Sequence, residues 1–303
     1  MNADTGQLVT VVIPTYNHAH FLGRALQSVL DQTYTNWEAI VIDNHSQDST
    51  DEVVQSFADP RITLLKIHNN GVIAASRNMG IRAAKSEWIA FLDSDDWWTT
   101  NKLQVCFKHI NDKVDLVYHD LEIVRDHPAF FQRKKLKSRQ VKRPVFIDLL
   151  VNGNTIANSS VVVRKRLLDQ IGGIDENIKM IASEDYNAWL RIAQITDAFF
   201  HIPKCLGYYM SHDQGISKKD MSFSYKCAIA NLPGSLSDTQ QDSTNSIAAY
   251  MSGRYHYANS EYDKAANKFK YCLKYANSRI RLRVMYMFML IALHKVARLI
   301  VGR

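Results

Sequence analysis

Several clusters of polar side chains have the types and spacing for chemistry on a charged substrate. The densest is Asp93-Ser94-Asp95-Asp96, directly after the apolar run 88–92. Carboxylates crowded at the end of a strand repel one another and raise each other's pKa. A divalent cation relieves that repulsion and prefers hard oxygen ligands. The plain alternative is an acidic turn whose aspartate caps the next helix. A second cluster is Asp43, followed by Asn44, His45, Ser46 and Asp48. A carboxylate there can accept hydrogen bonds from a nucleotide base or ribose; as a mere helix cap it is less suited than Asp48. In Val12-Ile13-Pro14-Thr15-Tyr16-Asn17, proline ends an apolar run, and Tyr16 and Asn17 add an aromatic face and an amide. Arg77-Asn78 lies in a helical stretch after Gly71, where a cation can face a diphosphate, although a lone helix arginine is by default a solvated charge. Glu184-Asp185 precedes Trp189-Leu190-Arg191; such a pair complements a helix dipole and can also supply a base.

The elements that must position these residues alternate. Residues 8–13 read as a buried strand, 20–32 as a helix, 37–42 as a strand, and 43–50 as a polar turn in which Asp48 or Ser49 caps the next helix. A strand over 62–66, a helix over 73–84 and a strand over 88–92 complete the pattern. This rhythm predicts parallel strands covered by helices, with ligands at the carboxyl ends of the strands. All the early clusters fall at such ends. After Trp98 the rhythm changes. The spacing predicts a helix near 101–111, a strand near 115–124, a basic loop, a helix at 145–151, a strand at 160–163 and a helix at 164–171 stopped by Gly172-Gly173. A helix over 184–195 and a strand over 198–201 follow. From about 220 the chain reads as helical, broken by a polar loop at 235–246.

At 303 residues, with 46% hydrophobic and 22% charged side chains, the chain is neither disordered nor a disulfide miniprotein. The net charge of +7 is local: residues 133–143 carry seven basic side chains and residues 279–303 carry six, with no acid in either, leaving the remainder at −6. Two isolated basic segments do not make the continuous basic face of a nucleic-acid binder. Cys106, Cys205, Cys227 and Cys272 show no paired spacing, which, with no leader-like start, predicts a cytoplasmic protein.

Taken together, the motifs resemble the family 2 glycosyltransferases, the large inverting group with the GT-A fold. The matching stretches are VTVVIPTYNHAHFLGRALQSVLDQTYTNWEAIVIDNHSQDST, GVIAASRNMGIRAAKSEWIAFLDSDDWW and GGIDENIKMIASEDYNAWLRIA, in the family's order, within roughly residues 8–215. The resemblance implies an α/β fold, a Rossmann-like mixed sheet flanked by helices, over 1–218. A nucleotide half covers about 1–98 and an acceptor half about 99–218. A helical C-terminal extension covers 219–303. It implies that Pro14, Thr15, Tyr16 and Asn17 contact the nucleotide and that Asp43 binds its uracil, while Arg77, Asp93 and Ser94 line the donor site. Asp95 and Asp93 match the motif that holds Mn²⁺ or Mg²⁺ on the diphosphate, with Asp95 the direct ligand. Asp185, preceded by Glu184, matches the catalytic base. Tyr208–Ser217 resembles the closing segment, from which His212 reaches the metal. One position departs: where the family commonly has Asp-Asp-Gly-Ser, this chain has Asp43-Asn44-His45-Ser46. The implied reaction is transfer of a sugar from a nucleotide diphosphate, UDP above all, to a saccharide or lipid-linked acceptor in surface polysaccharide synthesis. A sugar nucleotidyltransferase would share the metal, but the first strand lacks a glycine-rich triphosphate loop. A non-catalytic docking protein would tolerate changes at Asp95 and Asp185.

The tail adds separate expectations. Residues 253–275 resemble one tetratricopeptide-type hairpin, too little to build a solenoid. The last segment has a ten-residue apolar centre, 284–293, flanked by basic residues. As a helix it spans about 15 Å, half a hydrocarbon core. It predicts a basic amphipathic helix lying on a membrane surface or, alternatively, a helix packed in the core. The 133–143 segment is a candidate for membrane or acceptor-phosphate contact, or a solvated loop.

Overall fold

Apolar β-branched runs make the central strands, and the computed structural model describes residues 6–125, 134–212, 219–230, 232, 234 and 236–301. The first compact unit comprises residues 1–146, 155–178 and 184–212. Its strands are β1 (Val9–Thr15), β2 (Trp37–Asp43), β3 (Ile62–Lys66), β4 (Trp88–Phe91), β5 (Trp97–Trp98), β6 (Leu116–Arg125), β7 (Lys134–Leu136), β8 (Val162–Arg164) and β9 (Phe199–Ser211). They form one sheet in the order β3-β2-β1-β4-β8-β6-β9-β5, with β7 paired to β6. The first four are parallel, as the alternating pattern predicts, and β8 then runs antiparallel to both β4 and β6. Helices α1 (Ala19–Leu30), α2 (Thr50–Ser56), α3 (Ile73–Ala83), α4 (Lys102–His109), α6 (Lys165–Gln170) and α7 (Glu184–Ala193) flank it; α5 (Val145–Asn152) begins in this unit.

Local chemistry explains the close packing. Helix α1 places Leu22, Ala25, Leu26 and Val29 against the sheet, all fully buried. Gly80 lets α3 approach still closer: a Cβ there would lie 2.6 Å from Val12 and 2.8 Å from Ile42. Pro14 does not end the first strand but continues it opposite Ile42. This is tolerated because Pro14, like Val12, faces β4, and the β1–β4 register ends at Val12, so the missing amide falls beyond the last pair. Strand β9 is far longer than 198–201, and β5 was not expected at all. Strand β5 is a two-residue strand whose Trp97 ring stacks on Tyr208 at 4.9 Å. Of residues 134–143, the first three form β7, and the rest is a largely exposed loop pinned to the sheet at two points. Tyr118 Oη donates to Arg139 O at 2.6 Å and Ser138 N donates to Asp120 Oδ1 at 2.9 Å. Residue 133 lies outside the described residues.

The second unit comprises 147–154, 179–183 and 213–303. It contains α8 (Ser222–Ala230), α9 (Asp238–Ala258), α10 (Tyr262–Tyr275) and α11 (Ser278–Val301). The polar loop expected at 235–246 is largely helix. Ser237 and Gln240 form a reciprocal capping box, which satisfies the first orphan amides of α9. The buried hydroxyls of Ser243, Thr244 and Ser246 then donate to carbonyls three or four residues back. A polar segment can thus be helical and buried because its side chains are satisfied by its own backbone. Gly253 allows α9 to meet α10 at Phe269, whose Cε1 would lie 2.5 Å from an added Cβ. Helix α11 packs on α10 and α9 through Ile280, Val284, Met287 and Ile291.

One core residue opposes folding. Lys102 is fully buried, its Nζ sits 3.7 Å from the Trp98 ring centroid, and it has no hydrogen-bond partner among the described residues. Burial lowers its pKa from 10.5 to about 8. The folded chain therefore binds fewer protons than the unfolded chain between those values, so stability rises with pH across that window and the penalty is complete below it. Lys102→Met should stabilise the chain at pH 7 by on the order of 1–3 kcal/mol and remove that rise, as read by urea denaturation at several pH values.

Candidate active site

The carboxyl end of β4 delivers Asp93, Ser94, Asp95 and Asp96, and each side chain takes a different partner. Asp93 Oδ1 accepts from Arg77 Nη2 at 2.8 Å and from Asn158 Nδ2 at 3.0 Å. The same guanidinium donates from Nη1 to Glu184 Oε1 at 2.5 Å. Arg77 thereby ties the end of β4 to the first turn of α7, elements about ninety residues apart in sequence. The diphosphate contact expected of Arg77 meets a different geometry, because its side chain is buried between two carboxylates rather than facing open space. Burial alone would lower its pKa; Asp93 and Glu184 outweigh that and hold it well above the usual arginine value. Arg77 Nε and Glu184 Oε2 are buried without a hydrogen-bond partner among the described residues.

Glu184 is thus committed to Arg77, and Asp185 is the member of the pair available for chemistry. Asp185 Oδ1 accepts from Tyr186 N at 2.6 Å. Burial, and then the neighbouring charge of Glu184, push its carboxyl up to about 7, with Arg77 pulling the other way. A carboxyl poised near neutrality is a stronger base than an ordinary carboxylate and becomes fully ionised only above that pH.

Asp95 points elsewhere. Its Oδ2 lies 3.0 Å from His212 Nε2, and its carbonyl accepts from Arg24 Nη2 at 3.1 Å. Burial and Asp93 raise its pKa, while His212 lowers it. His18 stands on the same side: its Nδ1 is 3.0 Å from Ser94 Oγ, and its ring lies edge-on to His212 at 6.0 Å. Asp96 is excluded from ligand chemistry. It is buried, accepts from Met210 N at 2.9 Å, and is driven well above the carboxylate range by burial and then by Asp95 and Asp93. Among the described residues no three His, Cys, Asp or Glu side chains converge as a ready-made metal cage. The Asp95–His212 pair nevertheless fits a Mn²⁺ or Mg²⁺ ion as a two-ligand site completed by substrate oxygens: it offers a hard carboxylate and an imidazole, in surroundings with excess negative charge. The stretch 213–217 of the expected closing segment lies outside the described residues.

At the ends of β1 and β2 the predicted nucleotide contacts divide into buried supports and exposed faces. Asp43 is fully buried. Its carboxylate accepts from Lys66 Nζ at 2.6 Å, from Ser46 N at 3.1 Å and from Ser46 Oγ at 2.5 Å. The base contact expected of Asp43 therefore meets a saturated carboxylate that holds the 43–48 turn. Asn17, at φ 52°, spans the same turn: its amide donates to Ser46 Oγ at 2.8 Å and its Oδ1 accepts from Gln47 N at 2.7 Å. Asp48 joins this turn to α1 by accepting from Ala19 N at 2.9 Å. Pro14 and Thr15 are buried, whereas Tyr16 is 52% exposed. His45 takes φ 53°, the conformation that a glycine would adopt freely, and its exposed ring stacks on His68 at 3.8 Å. Sequence reasoning missed Asn158, Ser159, Lys66, His18 and His68. Asn158 and Ser159 read as an ordinary polar turn before β8, although Ser159 Oγ accepts from Asp93 N at 3.1 Å. Lys66 was visible only as the polar last residue of an apolar strand.

The architecture agrees with that of known proteins. A family profile described as Glycosyl transferase family 2 matches residues 10–172, more than half of the chain. The Escherichia coli protein named UDP-Glc:alpha-D-GlcNAc-diphosphoundecaprenol beta-1,3-glucosyltransferase WfgD is 32% identical over 189 residues, covering 61% of this chain and 69% of that protein. The putative colanic acid biosynthesis glycosyl transferase WcaA of E. coli K12 is 31% identical over 190 residues, 61% of this chain and 66% of that protein. Other relatives are matched over 61% of their own length, and one of them over only 32%. S. aureus TarS 1-349, solved with UDP-GlcNAc, superposes with a TM-score of 0.62 at 16% identity, covering 93% of this chain and 87% of that one. The mannosyltransferase PcManGT from Pyrobaculum calidifontis, solved with GDP-Man and Mn²⁺, gives 0.61 at 18% identity, covering 97% of this chain and 81% of that one. These last two likenesses show the shared GT-A fold. The chain is a glycosyltransferase and belongs to glycosyl transferase family 2.

Proposed function

We propose that this glycosyltransferase inverts the anomeric centre while moving a sugar from a UDP-sugar to a saccharide carried on a lipid diphosphate. Residues 1–218 act as the catalytic domain and 219–303 as a helical extension. The observation that carries the reading is Asp185, a carboxyl pushed to about 7 at the head of α7 and close enough to Asp93 to sense its charge. An acceptor hydroxyl is a poor nucleophile until its proton has somewhere to go. As its oxygen bonds to the anomeric carbon, the proton passes to Asp185, and the bond from that carbon to the diphosphate oxygen breaks with its electrons. One displacement from the opposite face inverts the centre, and no enzyme nucleophile is required.

Asp95 and His212 would hold a divalent cation, which, when bound, neutralises charge on the departing diphosphate. Tyr16 offers an open aromatic face to the nucleoside. Arg77 is a positioning residue, because it fixes Asp93 and the turn that presents Asp185. The UDP donor and lipid-linked acceptor are supported by what the WfgD name states of that protein, and by TarS holding UDP-GlcNAc. Such an acceptor would put the reaction at a membrane surface, and the side we propose is the cytoplasmic one.

Asp185→Asn should keep UDP affinity by calorimetry while lowering kcat on the order of 10²–10⁴-fold; loss of UDP binding as well would remove Asp185 as the base. For the native chain, kcat/KM should rise with pH through about 7 and level off above it, since only the ionised carboxylate accepts a proton. A profile flat across that range would overturn the assignment. Arg77→Ala should destabilise the chain by about 3–5 kcal/mol in chemical denaturation, because it strands Asp93 and buried Glu184 without their shared cation.

A further inference from the structure

Helix α11 has two apolar stripes, and only one of them is packed. Ile280, Val284, Met287 and Ile291 are buried on one side. At 3.6 residues per turn, Leu282, Met285, Tyr286, Met289, Leu293 and Val296 share a stripe about 100° wide on the other. Each of these six side chains is between 52% and 68% exposed. A helix serving only as a packing element would turn polar residues outward here. The exposed stripe is bordered by cations: Arg279 and Arg283 stand along one edge and Arg281 along the other, all exposed. The segment 279–303 contains no acidic residue.

We propose that this outward face of α11 docks on a membrane surface rich in anionic lipid. Among the described residues no helix is long and apolar enough to cross a membrane, so the contact is parallel to the surface. The charge pattern selects this occupant. Apolar side chains enter the boundary between headgroups and acyl chains, while flanking arginines reach back to lipid phosphates. A second copy of the chain is a poorer fit, since pairing these faces would crowd arginines together with no acidic partner in the segment. The inference stands apart from the assigned reaction, because it concerns the second unit alone and is tested without turnover.

The full chain should float with vesicles of mixed phosphatidylethanolamine and phosphatidylglycerol, about ten-fold or more better than with phosphatidylcholine alone, and less so as salt is raised. The combined variant Leu282→Gln, Met289→Gln and Leu293→Gln should bind the anionic vesicles about ten-fold or more weakly, with its melting temperature and UDP affinity unchanged. Arg279→Gln with Arg283→Gln should lose the preference for anionic over neutral vesicles. The proposal is overturned if the native chain stays free of anionic vesicles, or if the triple variant binds them as well as the native chain does. It is also overturned if the native chain is a dimer that the triple variant dissolves, which would assign the face to a second copy.

Discussion

The candidate active site depends on a single buried guanidinium. Arg77 lies between Asp93 and Glu184, and without it two carboxylates would face each other at the end of the sheet. Desolvating three charges is costly, and the arrangement is tolerable only because the fork of the arginine satisfies both neighbours at once. The consequence is positional. Strand β4 and helix α7 are fixed to each other at the point where Asp95 and Asp185 emerge, so neither chemical group rests on a loop alone.

The crowded acidic motif is resolved by assigning each carboxylate a different environment. Asp93 is neutralised by Arg77, Asp95 is paired with His212, and Asp96 is withdrawn into the interior on the amide of Met210. Asp185 keeps a raised pKa because it is buried and stands beside the charge of Glu184, which Arg77 only partly offsets. Identical side chains thus serve different ends because burial and partners differ, a distinction that composition cannot encode.

What was legible in the sequence follows from this. Periodicity revealed the parallel strands and their helices, since apolar runs of a strand's length alternate with helical spacing. It also located the strand ends that carry 14–17, 43–48 and 93–96, whereas Asp185 stood out only through the family resemblance. It could not reveal that Asp43 is saturated by Lys66 and Ser46, or that Arg77 is interior, because those outcomes depend on contacts between residues distant in the chain. Strand β5 was invisible because two tryptophans have no period. Helix α9 was misread because buried serines and a threonine look like loop until their hydroxyls are seen bonding to the helix's own carbonyls. The two-sided character of α11 was likewise hidden, since an apolar run does not say which of its faces finds a neighbour.

The bond from Asp96 to Met210 has a meaning for how this site can change. The tetrapeptide that carries the motif also fastens the end of β4 to β9, so its last residue belongs to the sheet while its first is held by Arg77 and its third faces His212. Such a segment has no slack. Lengthening it by one residue would break the Asp96–Met210 bond in the same event that moved Asp95, even though β9 stays paired with β6. The neighbouring turn differs, because His45 stands exposed there, in a backbone conformation that glycine adopts freely and stacked on His68.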